Sequence, residues 1–133
     1  MALLVVNNAV GQGHRISVSV TGLRSDLGKV YLSLYHSAAG YPKEPSSAFR
    51  LLTGAIVKGK CVVEFDGIPN GVYAIACFHD ENDNGKLDTN LIGIPKEGTG
   101  ASNDAKGSFG PPKFRDAQFK VDGDVTQTIK INY

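Results

Sequence analysis

Strict alternation of apolar and polar residues over short runs limits this chain to strands buried on one face, because side chains leave a strand on opposite sides with period two. Ile16, Val18 and Val20 alternate with Ser17, Ser19 and Thr21, and Thr21-Gly22 closes that run. Val30, Leu32 and Leu34 alternate with Tyr31, Ser33 and Tyr35 in a second. Cys61, Val63 and Phe65 make a third apolar face, Tyr73, Ile75 and Cys77 a fourth, and Phe119 with Val121 a fifth. A last strand over Val125 to Tyr133 turns Ile129 and Ile131 inward. Turn chemistry stands between the runs at Gly40-Tyr41-Pro42, Gly67-Ile68-Pro69-Asn70-Gly71 and Gly110-Pro111-Pro112. With 16 Gly, 6 Pro, one Met and no Trp, the composition favours many turns over long helices. A short peripheral helix is expected over Ser46 to Leu52, where Ala48, Leu51 and Leu52 have helical spacing and Ser46 or Ser47 can cap. Thr89 to Lys113 shows no strand pattern, and a loop of that length in a compact domain is functional or mobile.

Six or seven short strands on 133 residues predict one all-β domain, an antiparallel two-sheet sandwich of immunoglobulin or transthyretin type. A small barrel is the second choice. The domain is expected over 14–133. Ala2-Leu3-Leu4-Val5-Val6 with Ala9-Val10-Gly11 resembles the end of a secretory apolar region and its small-residue cleavage zone. Residues 1–13 are therefore read either as a residual signal or as an ordinary disordered start. The segment is too short to span a bilayer.

If the third and fourth runs form a hairpin around Gly67 to Gly71, Asp66 faces Val72, Phe65 faces Tyr73, Val63 faces Ile75 and Cys61 faces Cys77. Every apolar pair then falls on one face, and a slip of one residue would turn one strand outward. Cross-strand Cβ atoms lie ~4.5–5.5 Å apart, within adjustment of disulfide geometry. Cys61 and Cys77 are expected either as a disulfide or as two reduced, buried thiols.

The formal charge is +1, from 14 Lys and Arg against 13 Asp and Glu. That offers nucleic acid no basic field. The most specific chemical pattern is Asp80-Glu81-Asn82-Asp83-Asn84-Gly85-Lys86-Leu87-Asp88. Alternate side chains at Asp80, Asn82 and Asn84 can converge on one hard cation, Gly85 permits the sharp turn, Lys86 offers its carbonyl, and Asp88 adds a carboxylate. Calcium is the expected ion, and the bland alternative is an Asx-rich turn that bonds its own backbone. Position twelve is Leu91 rather than a bidentate Glu, and a strand enters the loop, so the pattern is not an EF-hand. Asp83 or Glu97 could add oxygens. Such a ligand set belongs with extracellular sites of ~10⁻⁴–10⁻³ M.

His79 through Asn90, followed by Gly93-Ile94-Pro95-Lys96-Glu97-Gly98 and by Gly110-Pro111-Pro112-Lys113-Phe114-Arg115-Asp116-Ala117, closely resembles the bacterial domain-of-unknown-function family numbered 2141. Gly22 and Ile129-Lys130-Ile131 extend the resemblance over nearly the whole chain. It implies an exported bacterial protein, a sandwich domain and no assigned activity. Thr99 and Ala101 stand where that family's pattern has aromatic residues, so no stacking role carries over to this loop.

Enzyme motifs are weaker. His79-Asp80 ends a strand, whereas the metal phosphohydrolase pair sits on helices. Gly98-Thr99-Gly100 lacks a dinucleotide or phosphate-loop pattern, and Ser102 and Ser108 have no nucleophile elbow. His14, His36 and His79 lack ligand spacing and read as solvated or hydrogen-bonded, and Glu97 and Asp116 as solvated carboxylates. The favoured expectation is a non-catalytic periplasmic or secreted module, monomeric, without a membrane span, whose partner is an unidentified protein or an envelope glycan. The alternative is a metal-dependent hydrolase or lyase using Asp80, Asp88, Glu97 and His79.

Overall fold

A computed structural model describes residues 13–108 and 110–133. The apolar stretch ending at Gly11 lies outside the described residues. The remainder is a two-sheet all-β sandwich. Its strands are β1 (His14–Thr21), β2 (Lys29–Tyr35), β3 (Arg50–Gly54), β4 (Cys61–Ile68), β5 (Gly71–Asp80), β6 (Thr99–Ala101), β7 (Phe119–Val121) and β8 (Val125–Lys130). One sheet runs β4-β1-β8 and the other β3-β2-β5-β6, with β7 also on β5. All described strand pairs are antiparallel except β1 with β8, which run parallel from Ile16↔Val125 to Thr21↔Lys130.

Both sheets send their apolar parity into one core. Ile16, Val18 and Val20 from β1, Phe65 from β4 and Ile129 from β8 meet Val30, Leu32 and Leu34 from β2 and Tyr73 and Ile75 from β5. Side chains of this kind contribute roughly 1.5–3 kcal/mol each when fully buried, which makes this layer the main stabilising element.

The expected β4–β5 hairpin is not formed. Phe65, Val63 and Cys61 pair with Ile16, Val18 and Val20 of β1, whereas Ile75 and Cys77 pair with Leu34 and Leu32 of β2. The Ile68 to Gly71 connection instead carries the chain from one sheet to the other, and the Tyr73 hydroxyl pins it by donating to the Pro69 carbonyl at 2.8 Å. Cys61 and Cys77 are consequently not cross-strand neighbours. Both are buried free thiols in the common core.

Two further expectations are corrected. Leu51 and Leu52 lie in β3 and pair with Ser33 and Leu32, while the helical turn upstream is a single 3₁₀ turn at Pro45–Ser47. Pro45 removes a backbone donor there, and the edge of β2 offers the leucines a ladder. The long stretch after Thr89 contains β6 and a 3₁₀ turn at Ser102–Asp104. Among the described residues the one α-helical turn, α1, is Phe114–Ala117. No helix among the described residues is long and apolar enough to cross a membrane.

Candidate metal centre

The Asp80 to Asp88 loop is held by what precedes it. β5 ends at Asp80, which pairs with Lys29 of β2 and is fully buried. Gly28 makes this possible, because a Cβ there, at φ +68, would run into the Asp80 carbonyl. The chain then turns back on the Asp80 side chain. Asn84 N–H donates to Oδ1 at 3.2 Å and Gly85 N–H to Oδ2 at 2.8 Å. Asp83 at φ 57 and Gly85 at φ 81 supply the left-handed backbone that this reversal requires.

Three of the other expected ligands converge. The Asn82 amide donates to Asp88 Oδ2 at 2.6 Å and the Asn84 amide to Asp88 Oδ1 at 2.8 Å. Those bonds, Asn84 first, hold the Asp88 carboxyl below the ordinary carboxylate range. Lys86 N–H donates to Asn84 Oδ1 at 3.1 Å, so Lys86 lies beside the cluster through its backbone. Asp80, Asn82, Asn84, Lys86 and Asp88 thus form one connected group.

Glu97 has a role that the sequence did not disclose. Read as a solvated carboxylate, it is instead only 7 % exposed. It accepts the Glu81 N–H at 3.0 Å on one oxygen and the Asp88 N–H at 3.0 Å on the other. The carboxylate therefore clamps both shoulders of the loop. Glu81 points away from this clamp to Arg24, 2.6 Å distant, and to the Ser25 hydroxyl at 2.8 Å. Arg24 first, then Ser25, lowers its pKa. Lys29 reaches Asp83 at 3.1 Å.

His79 is fully buried, and both ring nitrogens are occupied. Nε2 lies 2.7 Å from the Leu27 carbonyl and Nδ1 2.8 Å from the Tyr133 hydroxyl. A carbonyl only accepts, so Nε2 carries the proton and Nδ1 accepts from Tyr133, whose oxygen takes the Arg24 N–H at 3.0 Å. This histidine is a structural tie between β5 and the neighbouring chain segments, and it offers no free nitrogen to the loop.

The donor set is oxygen-only. Each Asp80 oxygen takes one N–H and keeps a second lone pair, and the residues that could hold a hard cation with it are Asp88, the two amides through their oxygens and Lys86 through its carbonyl. Among the described residues no three His, Cys, Asp or Glu side chains are grouped to hold a metal. The loop accordingly offers amides and a carbonyl beside its two carboxylates. In the arrangement described, Asn82 and Asn84 turn their N–H₂ groups to Asp88, so a cation would have to compete with those two hydrogen bonds.

A model of a bacterial family, described as an uncharacterized protein conserved in bacteria (DUF2141), matches residues 18–129. No curated protein and no solved structure matches.

Proposed function

The chain belongs to this uncharacterized bacterial family, and from that membership and the loop geometry we propose a non-catalytic extracytoplasmic binding module that takes one calcium ion at Asp80, Asn82, Asn84, Lys86 and Asp88. One observation carries the reading. A fully buried Asp80 folds the loop around its own carboxylate, so that Asn82, Asn84 and Asp88 meet at one point. Calcium binding would rotate the two amides to present oxygen in place of N–H, giving up their bonds to Asp88 and the Lys86 N–H bond to Asn84 Oδ1. A set with two carboxylates and no bidentate Glu fills at extracellular calcium, ~10⁻⁴–10⁻³ M, and stays empty at cytosolic levels. Occupancy stiffens the loop and braces the segment that follows it.

Thermal unfolding with and without millimolar calcium tests this. At 100 times the dissociation constant the folded state gains about 2.7 kcal/mol, a readily measured rise in Tm. Asp88→Ala should remove that rise, with only a small fall in the metal-free Tm from losing the two surface amide bonds, since Asp88 lies outside the core. The side-chain amide resonances of Asn82 and Asn84 should move on titration. An unchanged Tm together with static amide resonances would leave a self-bonded Asx turn.

A further inference from the structure

From the cation loop the chain runs into a tight turn whose apolar tip faces solvent. Leu91 is fully exposed, Ile92 80 % and Ile94 54 %. Three large aliphatic side chains exposed within four consecutive residues oppose the hydrophobic effect, and exposed apolar patches mark contact surfaces. The turn presenting them is firmly built. Thr89 bridges Pro95, Asn90 N–H donates to the Ile94 carbonyl at 2.8 Å, and Gly93 N–H donates to the Asn90 carbonyl at 3.0 Å. Asn90 Oδ1 accepts both the Ile92 and Ile94 N–H groups at 3.0 Å. The N–H groups of Asn90, Ile92, Gly93 and Ile94 are therefore satisfied within the turn, and that of Leu91 is left to solvent or a headgroup oxygen. Water would solvate them without help, but a medium of low polarity would not, and there an unpaired N–H is costly.

The charges beside the tip are arranged to match. Lys86 and Lys96 are exposed, and neither enters an ion pair among the described residues. The neighbouring carboxylates each have a partner within the chain: Glu81 with Arg24 and Asp83, at the surface, with Lys29, Asp80 and Glu97 with backbone N–H groups, and Asp88 with two amides and, at longer range, with Lys86 and Lys96 themselves. Three side chains fall far short of the roughly 20–30 residues a side in a stable protein interface. They suit an element that lies at a bilayer surface with its apolar residues among the acyl chains and its lysines at headgroup level.

We propose that the Leu91-Ile92-Gly93-Ile94 turn inserts into the headgroup boundary of a phospholipid bilayer, with the Lys86 and Lys96 ammonium groups on lipid phosphates. The association is weak and reversible, and it does not require a cation in the preceding loop. The chain has no Trp, so Ile92→Trp places the sole indole at the tip. In chelator-containing buffer, with vesicles of phosphatidylethanolamine and phosphatidylglycerol in equal parts, that variant should shift its emission to the blue and be quenched by brominated lipid. Wild-type protein should co-sediment with the same vesicles. The combined Leu91→Ser, Ile92→Ser and Ile94→Ser variant should lose co-sedimentation by about tenfold or more, with an unchanged circular dichroism spectrum because the tip lies outside the core. Lys86→Glu with Lys96→Glu should weaken binding to a smaller degree, more on phosphatidylglycerol than on phosphatidylcholine. The proposal is overturned if wild type stays in the supernatant, if the triple serine variant binds as well as wild type, or if the indole emission does not move. Self-association that the serine variant abolishes, without vesicle binding, would assign the tip to a second copy instead.

Discussion

Glu97, outside the calcium pattern, holds as many backbone donors of the loop as Asp80 does, because its two oxygens take the Glu81 and Asp88 N–H groups from either shoulder. Glu97→Ala orphans the Asp88 N–H and leaves the Glu81 N–H with the His79 carbonyl alone, at 3.0 Å, and an unsatisfied N–H costs roughly 1–3 kcal/mol. Melting should fall by several degrees, with faster hydrogen exchange at the Glu81 and Asp88 amides. Glu97→Gln should also destabilise, since its amide end would set N–H against N–H. Unchanged melting in both variants would remove the clamp from the account. Acid acts nearby with a definite sign. Arg24 and Ser25 lower the Glu81 pKa, so the stabilisation it lends is complete above the ordinary carboxylate range and lost as the pH falls through the depressed folded value. Glu81→Gln should flatten that part of a stability-against-pH curve. The clustering of Asn82, Asn84 and Asp88 was legible in the sequence because Asx residues around a glycine announce, through local chemistry, a tight loop whose polar side chains turn on one another. Glu97 was not, because nothing local distinguishes a carboxylate in a glycine-rich segment that is buried from one that is solvated.

Strands were legible where period two was clean, as in Ile16-Val18-Val20 and Val30-Leu32-Leu34. The partnership of β4 with β5 was not, and the reason is geometric. Phe65 and Cys61 face the core from one sheet, Tyr73, Ile75 and Cys77 from the other. Inward parity is identical whether two such strands share a sheet or face each other across the core, so the apolar pattern cannot separate the two arrangements. β3 was missed because Ala48, Leu51 and Leu52 imitate helical spacing over a span too short to test it. The inter-sheet placement has a chemical consequence. Burial pushes the Cys77 thiol up to about 12, with Cys61 adding to it, and burial raises the Cys61 thiol as well. Since the thiolate is the nucleophile, a thiol-selective reagent at neutral pH should leave both cysteines unmodified in native protein and label both once denaturant is added. Rapid labelling of native protein, or a mass two protons lower after oxidation-free purification, would contradict the free, buried thiols described.

At the scale of the whole molecule, the first and last strands are partners. β8 lies along β1 from Ile16↔Val125 to Thr21↔Lys130, and Ile129 and Ile131 are buried against the core. Beyond β8, Asn132 bridges to Thr99 in the other sheet. Removing Val125 to Tyr133 should therefore strip one side of β1, open the core and abolish cooperative unfolding. A truncated chain that still melted sharply would show β8 to be an accessory. The sequence disclosed an apolar last strand, but its parallel match to β1 follows from the intervening path through both sheets and leaves no local mark. Because β1 and β8 point the same way, the chain enters the domain at one end of the sheet and leaves it at the other. A pull between those ends loads the β1–β8 hydrogen bonds in shear, all at once, instead of peeling them singly. Separating those ends therefore requires the whole β1–β8 ladder to give way together.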